Sequence, residues 1–299
     1  MAEPTTAQKL PAGARFVDLS DYARPLAARI ARGLRDTRIT APWVTLAFGI
    51  VGLAGAVAYS AAGVLPALAG AAALQAKNVL DAVDGSLARL QRRPSRIGRF
   101  LDSIMDAIVA AALFAGLGYA VARARPGPYA AGLAAAALLL GLLQASVFNY
   151  YYVRYRLRRG GDPTSRLNER LEEGELRDGG GRPAVLVLLR ALLALYGLIY
   201  RWQDRLVRRL DLWAAAPLMV GGRRGVGERL RDAPRFMTAV SVLGPGFQIL
   251  VLDACTVLGA GRPALAVEVF LWIVAAGGTL YTAVLLGYLR RRAERLARR

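Results

Sequence analysis

The chain has 299 residues, is 55% hydrophobic and carries a formal net charge of +19 at pH 7. Soluble proteins rarely combine so apolar a composition with so much positive charge, whereas a membrane protein with basic cytoplasmic loops has both. The sequence contains one cysteine, Cys255, and no histidine, which excludes a disulfide within the chain, a cysteine-based zinc site and a histidine-dependent triad. Its arginine clusters alternate with apolar runs, so we predict no nucleic-acid partner.

The N-terminal segment 1–41 is polar and basic, and it contains no cleavable signal peptide. We interpret residues 1–18 as a disordered lead-in. In residues 20–36, arginines are interleaved with apolar side chains at four-residue spacing, namely Tyr22, Leu26, Ile30 and Leu34. This pattern favours an amphipathic helix on an anionic membrane surface over an ordinary solvated helix.

Six apolar runs follow, and each is long enough to cross a hydrocarbon core, which takes about 20 residues. The runs are 42–61, 63–90, 99–122, 128–151, 237–259 and 264–288. We therefore predict an all-α, polytopic membrane protein with six transmembrane helices. Residues 42–154 would hold the first four helices, and residues 237–299 the last two with a basic tail.

Basic residues concentrate in 91–99, 154–170, 223–235 and 290–299, whereas the opposite loops are short and carry less charge. By the positive-inside rule, both termini and the basic loops face the cytoplasm. We expect an integral protein of a bacterial-type inner or plasma membrane.

The segment 155–236 is an insertion between the fourth and fifth predicted helices. Its apolar part could form a seventh crossing, but the basic flanks would then face opposite sides, and Arg190 would lie near the bilayer centre. We interpret the insertion as cytoplasmic and interfacial, with residues 183–211 forming a helix in the interface, anchored by Trp202. A re-entrant pair using 212–222 is the alternative.

Four carboxylates lie within the second and third runs, where charged residues are rare and costly and are therefore candidates for function. They are Asp81, Asp84, Asp102 and Asp106. Each pair is three or four residues apart, so it lies on one helix face. In the hairpin 77–106, Asp81 should face Asp106 about 12 Å from the turn, and Asp84 should face Asp102 about 6–7 Å from it.

Four carboxylates this close together require either shared protons or divalent cations, and Lys77 is the nearest basic residue. Carboxylate oxygens suit Mg²⁺ or Mn²⁺, and two metals ~4 Å apart serve displacement at phosphorus. Gly85 and Ala88 leave the acidic face uncovered, and Gly98 starts a helix whose N-terminus favours phosphate. Close helix packing would also explain these small residues.

The hairpin residues form the pattern D-x2-D-G-x2-A-R-x8-G-x3-D-x3-D, carried by Asp81, Asp84, Gly85, Ala88, Arg89, Gly98, Asp102 and Asp106. This pattern resembles the signature of the CDP-alcohol phosphotransferase family, also called CDP-alcohol phosphatidyltransferases. At the start of the first helix, Thr40 and Thr45 match the family's T-P-N-x-x-T, but Ala41 and Pro42 replace its Pro and Asn.

The resemblance implies a metal-dependent transfer of a phosphoalcohol group from a CDP-linked donor to an alcohol, with release of CMP, in phospholipid biosynthesis. It implies two divalent cations, Mg²⁺ or Mn²⁺, held by the four aspartates, with Asp106 also acting as general base. It places five residues at the CDP donor, namely Thr45, Gly85, Ala88, Arg89 and Gly98. By the same resemblance, CDP-diacylglycerol is the expected donor and a homodimer the expected assembly.

Several alternatives stay open. A small CDP-linked alcohol could be transferred onto a lipid hydroxyl, an ion transporter could use an intramembrane acidic site, and a scaffold could keep the fold without activity. A phosphorylated polyol acceptor would need basic residues near the metals, for which the candidates are Lys77, Arg96, Arg99 and Arg154. Residues 149–152 could line an acceptor site, but an aromatic belt is the preferred interpretation.

Overall fold

The computed structural model describes residues 9–61, 63–92, 96–161, 183–220 and 224–298. The start of the predicted lead-in and most of the polar loop before residue 183 lie outside the described residues. Every regular element in the described ranges is helical, with no strand among them. The predicted all-α membrane fold is confirmed.

Eleven α-helices are found in the described residues. They are α1 Arg24–Leu34, α2 Ala41–Ser60, α3 Val64–Leu90, α4 Arg96–Ala124, α5 Pro128–Arg158, α6 Pro183–Val220, α7 Arg224–Arg231, α8 Pro234–Ser241, α9 Pro245–Leu258, α10 Pro263–Trp272 and α11 Thr279–Ala297. A π-helical stretch, Ile273–Gly278, joins α10 to α11 without a break. The predicted run 237–259 is a bent pair, in which α8 and α9 meet at 50° and can together count as one span.

Five helical units are long and apolar enough to cross a membrane, or six if the bent pair α8–α9 counts as one. The five are α2, α4, α5, α6 and the continuous α10–α11 unit. Helix α3 is absent from this set because its second half is polar. It nevertheless runs antiparallel to α2 along its length, since Thr45 contacts Asp84 at one end and Tyr59 packs on Gly70 towards the other. This pairing supports the predicted crossing by the run 63–90, which stays a prediction.

Helices α2 and α4 approach each other closely through glycines. A Cβ atom added to Gly49 would lie 2.5 Å from the Met105 sulfur, and one added to Gly52 would lie 2.6 Å from a Val109 methyl group. Small residues at such positions let membrane helices pack at short distance. This packing sets α2 against the α3–α4 hairpin, so that Thr45 reaches the acidic residues.

Helix α1 packs on α3 chiefly through alanines. Ala27, Ala28 and Ala31 are buried in one cluster with Val83, and Ile30 and Leu34 of the apolar stripe pack against it partly buried. Leu26 of the same stripe is 50% exposed. The predicted helix is present, and its place on a membrane surface stays a prediction. Alanines allow close approach to α3, and the larger side chain is left outward, towards the surrounding lipid.

Residues 9–21 pack against the bundle and are called the strap below. Phe16 lies edge-on to Tyr155 with ring centroids 5.6 Å apart, and the Tyr155 hydroxyl donates a 2.9 Å hydrogen bond to the Ala14 carbonyl. The Gly246 N–H donates to the Ser20 hydroxyl at 3.1 Å. The predicted disorder is therefore wrong for residues 9–18, because aromatic side chains at the end of α5 pack against Phe16 and bury Ala14.

Helix α6 crosses three other helices near the end of the bundle that carries the hairpin turn. Its side chains contact the first turns of α4, the last turns of α5 and the second half of α11. The contacts are Tyr196 with Phe100, Tyr200 with Ser103, Gln203 with Ser146, Asp211 with Tyr151 and Trp213 with Arg290. The helix predicted for 183–211 is present and continues unbroken to Val220. Its predicted place in the membrane interface stays a prediction.

Candidate active site

Three carboxylates of the α3–α4 hairpin converge at one point. One oxygen atom from each of Asp81, Asp102 and Asp106 lies within 4.8 Å of the other two. Asp102 and Asp106 are one turn apart on α4, so they share a face, and Asp81 faces them from the antiparallel α3. This spacing allows the three side chains to share a metal ion.

The fourth predicted ligand, Asp84, lies beside this trio and is held from another helix. Asp84 is 6% exposed. The Thr45 hydroxyl donates a 2.8 Å hydrogen bond to Oδ2 of Asp84, and the carboxyl of Asp102 is within hydrogen-bonding reach of Asp84. The hairpin therefore places Asp84 against Asp102, at the level nearer the turn. Thr45 has a contact with the acidic cluster that sequence reasoning missed.

Lys77 adds a buried positive charge to the trio. Its ammonium contacts the Asp106 carboxylate and lies 3.7 Å from Oδ2 of Asp81. It also lies 4.9 Å from the centroid of the Phe48 ring. Lys77 offsets one of the four carboxylate charges and leaves three to be neutralised. Lys77 also lines the second cavity described below, so its role as an acceptor candidate stays a prediction, with two aspartates as its contacts in this structure.

The donor set of this cluster fits divalent cations. Oδ1 of Asp102 is buried and has no hydrogen-bond partner among the described residues. A buried carboxylate oxygen without a partner is costly unless a cation binds it. Since the ligands on offer are carboxylate oxygens, the cluster suits Mg²⁺ or Mn²⁺ better than zinc.

A cavity of about 280 Å³ opens beside the aspartates and is called the first cavity. Asp81, Asp84 and Asp102 line it, and so do all five residues predicted at the CDP donor, namely Thr45, Gly85, Ala88, Arg89 and Gly98. A Cβ atom added to Gly85 would meet no atom closer than 3.5 Å, at the Arg89 guanidinium. The glycine therefore keeps open a stretch of wall against which a flat group can lie.

A second cavity, of about 360 Å³, extends from the same aspartates to the other side, past Asp106. It shares Asp81 and Asp102 with the first cavity. Its deeper wall is apolar and is formed by side chains of several helices, among them Leu113, Phe114, Leu138, Ile249, Leu252 and Phe270. The acidic cluster thus lies where the two cavities meet, and the second cavity has the more apolar wall.

Helix α6 contributes Tyr196, Tyr200 and Asp204 to the second cavity. The Tyr200 hydroxyl donates a 2.9 Å hydrogen bond to the Ser103 carbonyl, next to Asp102 in the chain. Sequence reasoning gave the insertion no role at the site. The insertion contains none of the motif residues. The contacts that bring α6 to the second cavity join segments about a hundred residues apart in sequence.

The predicted basic acceptor residues are dispersed. Arg99 lines both cavities. Arg154 lines neither, and its guanidinium lies 3.4 Å from the Asp211 carboxylate. The side chain of Arg96 lies outside the described residues. Arg154 as an acceptor candidate stays a prediction, and its contact in this structure is with Asp211 of α6.

Several cavity residues were not singled out from the sequence. The strap and α1 supply Lys9, Asp18, Ser20, Asp21 and Arg24 to the first cavity, and α5 supplies Arg156 to both. At the end of α5, Tyr152 lines both cavities, whereas Tyr151 is buried against Asp211. The aromatic-belt interpretation of residues 149–152 is wrong for these two tyrosines, which face the protein interior.

A helical membrane bundle with an acidic centre between two cavities is the architecture of a membrane-embedded enzyme. The sequence model of the CDP-alcohol phosphatidyltransferase family matches residues 38–221, and the chain belongs to that family. The match extends from just before α2 to just after α6, so it includes the whole acidic cluster. The protein is therefore a transferase of lipid synthesis, in a family that uses divalent metals. A comparison with curated proteins found no match for this chain.

Proposed function

We propose that this protein transfers a phosphatidyl group from CDP-diacylglycerol to an alcohol and releases CMP. The observation that carries the proposal is the convergence of Asp81, Asp102 and Asp106 within 4.8 Å at the junction of the two cavities. A donor in the first cavity and an alcohol in the second would meet at these carboxylates. Together with the family match, this arrangement favours an enzyme over an ion transporter or a scaffold.

In this proposal, the four aspartates hold two divalent cations. When bound, the cations neutralise the diphosphate of the donor and polarise the phosphorus under attack. The oxygen of the alcohol bonds to the β-phosphorus while Asp106 accepts the proton of the alcohol, and the bond between the β-phosphorus and CMP breaks. Lys77 orients the Asp106 carboxylate from the opposite helix. Thr45 fixes Asp84 between the nucleotide side and the trio.

The direct test uses the purified protein with CDP-diacylglycerol, Mg²⁺ and a panel of alcohols, with CMP release as the readout. We expect CMP release that depends on both the metal and one class of acceptor. Asp102→Asn should lower the rate of CMP release by roughly a hundredfold or more. The matched control is Asp253→Asn, since Asp253 is also an intramembrane aspartate but lines neither cavity. Full turnover by Asp102→Asn with unchanged metal dependence would overturn the assignment.

A second candidate is transfer of a small CDP-linked alcohol onto a lipid hydroxyl. The apolar wall of the second cavity favours it, because a lipid alcohol could lie there with its hydroxyl towards Asp106. The two candidates differ in which substrate carries the acyl chains. CMP release from a water-soluble CDP-alcohol only in the presence of diacylglycerol would select this second reaction.

The proposal also places the active site and both termini in the cytoplasm and expects a homodimer. Positive residues around the hairpin turn support this orientation. Single cysteines at Arg92, in the turn, and at Gly127, in the opposite loop, would test it after replacement of Cys255. An impermeant thiol reagent added to intact cells should label the cysteine at 127 and spare the one at 92. Light scattering in detergent would give the oligomeric state.

A further inference from the structure

Lys9 of the strap lines both cavities. The strap is fixed on each side of the site, by Tyr155 of α5 at Ala14 and by Gly246 of α9 at Ser20. A Cβ atom on Gly246 would lie 1.9 Å from the Ser20 carbonyl oxygen, so the glycine is what lets the strap approach α9. Leu10, next to Lys9, is partly buried against the aromatic cluster at the end of α5, so packing also positions the start of the strap.

Groups of both signs surround Lys9, with Arg24, Arg89 and Arg156 as the cations and Asp18, Asp21 and Asp106 as the carboxylates. Within the described part of the chain, its ammonium makes no ion pair, and it lies 6.0 Å from the centroid of the Tyr152 ring. Burial and the neighbouring Arg24 lower the pKa of Lys9 to about 8, with smaller contributions from Arg89 and Arg156, and Asp21 opposes them. A half-buried ammonium among guanidinium groups is costly unless an anion lies between them.

We propose that Lys9 binds a phosphate group of a substrate at the junction of the two cavities. The inference rests on the proposed function, because a phosphoryl donor must reach the aspartates that line the same junction. Arg99 and Arg156 also line both cavities and would face the same anion. Two sources share this chemistry, namely the diphosphate of a CDP-linked donor and a phosphate monoester on the acceptor.

The composition of the chain supports a selective role for lysine. Of the 40 basic residues, two are lysines, Lys9 and Lys77, and the rest are arginines. Both lysines line the second cavity, beside Asp81, Asp102 and Asp106. A lysine ammonium is a compact charge that binds phosphate without the fixed planar geometry of a guanidinium. Membrane orientation by positive charge would not require lysine at these two positions, since arginine meets the positive-inside rule equally well.

The scarcity of lysine permits a test that does not depend on activity. Amine-reactive labelling of the full chain, followed by mass spectrometry, reports on Lys9, Lys77 and the N-terminal amine alone. We expect Lys9 to react rapidly in the free protein and at least tenfold more slowly when the anion is bound. CDP with Mg²⁺ tests the donor, glycerol 3-phosphate tests the acceptor, and unphosphorylated glycerol is the control.

Kinetics provides the second arm. Lys9→Ala should raise the KM for the phosphate-bearing substrate by roughly tenfold to a hundredfold, the effect of one lost charge-assisted hydrogen bond. Lys9→Arg should recover part of this loss. Arg35→Ala is the control, since Arg35 is an exposed cation that lines neither cavity.

The outcomes separate this inference from the proposed function. Protection by CDP assigns the phosphate to the donor, and protection by glycerol 3-phosphate assigns it to the acceptor. If the enzyme releases CMP but no substrate slows the labelling of Lys9, the inference is wrong and the function stands. If phosphates protect Lys9 while no CDP-linked donor yields CMP, the anion site stands and the proposed function is wrong. Wild-type protection is informative even if Lys9→Ala does not fold.

Discussion

Replacement of Lys77 with methionine should destabilise the metal-free protein by about 3 kcal/mol. Lys77 is 7% exposed, and its ammonium contacts Asp106 and lies 3.7 Å from Asp81. Removing one partner of a buried ion pair costs ~3–5 kcal/mol, because the other charge stays buried and unpaired. The lower end applies here, since 32% of the Asp106 side chain remains exposed. For a chain of this size, this loss corresponds to roughly 6 °C in melting temperature.

The assay compares apparent melting temperatures in detergent, in EDTA and in Mg²⁺, for Lys77→Met, Asp106→Asn and the double variant. Methionine keeps the apolar stem that packs near Phe48. The double variant should melt above Lys77→Met, because it leaves no unpaired charge at Asp106. Mg²⁺ should reduce the difference in melting temperature between Lys77→Met and the wild type, because a bound cation can replace the positive charge of the ammonium. Equal melting of Lys77→Met and the wild type in EDTA would refute the charge balance described above.

Three further changes test other parts of the site. Asp102→Asn should lower the rate of CMP release by roughly a hundredfold or more. Loss of a residue that only hydrogen-bonds to a metal ligand already lowers metal affinity or activity by about 10–100-fold. Gly85→Leu should raise the KM for the CDP donor by roughly tenfold, whereas Gly85→Ala, whose Cβ meets nothing closer than 3.5 Å, should bind the donor normally. Burial and Asp21 raise the pKa of Asp18 to about 6 from its usual 3.8. Ionised Asp18 therefore opposes folding, so wild-type stability should rise as the pH falls through that value. Asp18→Asn should raise the melting temperature near neutral pH, and its advantage should vanish below pH ~4. An advantage that persists in acid would contradict the argument.

The acidic cluster could be predicted from the sequence because it depends on local rules. Residues three or four apart share a helix face, and a short turn makes consecutive helices antiparallel. These two facts place Asp81 near Asp106 and Asp84 near Asp102, as the structure has them. The part of the site built within 26 residues of chain was thus accessible before any tertiary contact was known.

The strap and the second cavity could not be predicted in this way. The backbone of Leu19 bonds the Ser241 hydroxyl across 222 residues, and Gly246 bonds Ser20 across 226. Contacts between residues so far apart follow no periodic pattern in the sequence, so they cannot be predicted from it. Polar composition suggested disorder for residues 9–18, but the aromatic surface of α5 that covers Phe16 exists only in the folded bundle.

The contacts at the two ends of the insertion decide between an interfacial and a crossing role for it. Helix α6 is apolar enough to cross a membrane by composition. Yet Arg158, at the end of α5, lies 3.2 Å from Asp232, just before α8, and the Arg159 guanidinium donates to the Asp232 carbonyl at 3.1 Å. The chain therefore leaves and re-enters the bundle at the same end, which favours the predicted insertion without a net crossing of the membrane. If α3 crosses and α6 does not, the crossings are α2, α3, α4, α5, the α8–α9 pair and the α10–α11 unit. This even number keeps the basic segments before and after the insertion on one side of the membrane.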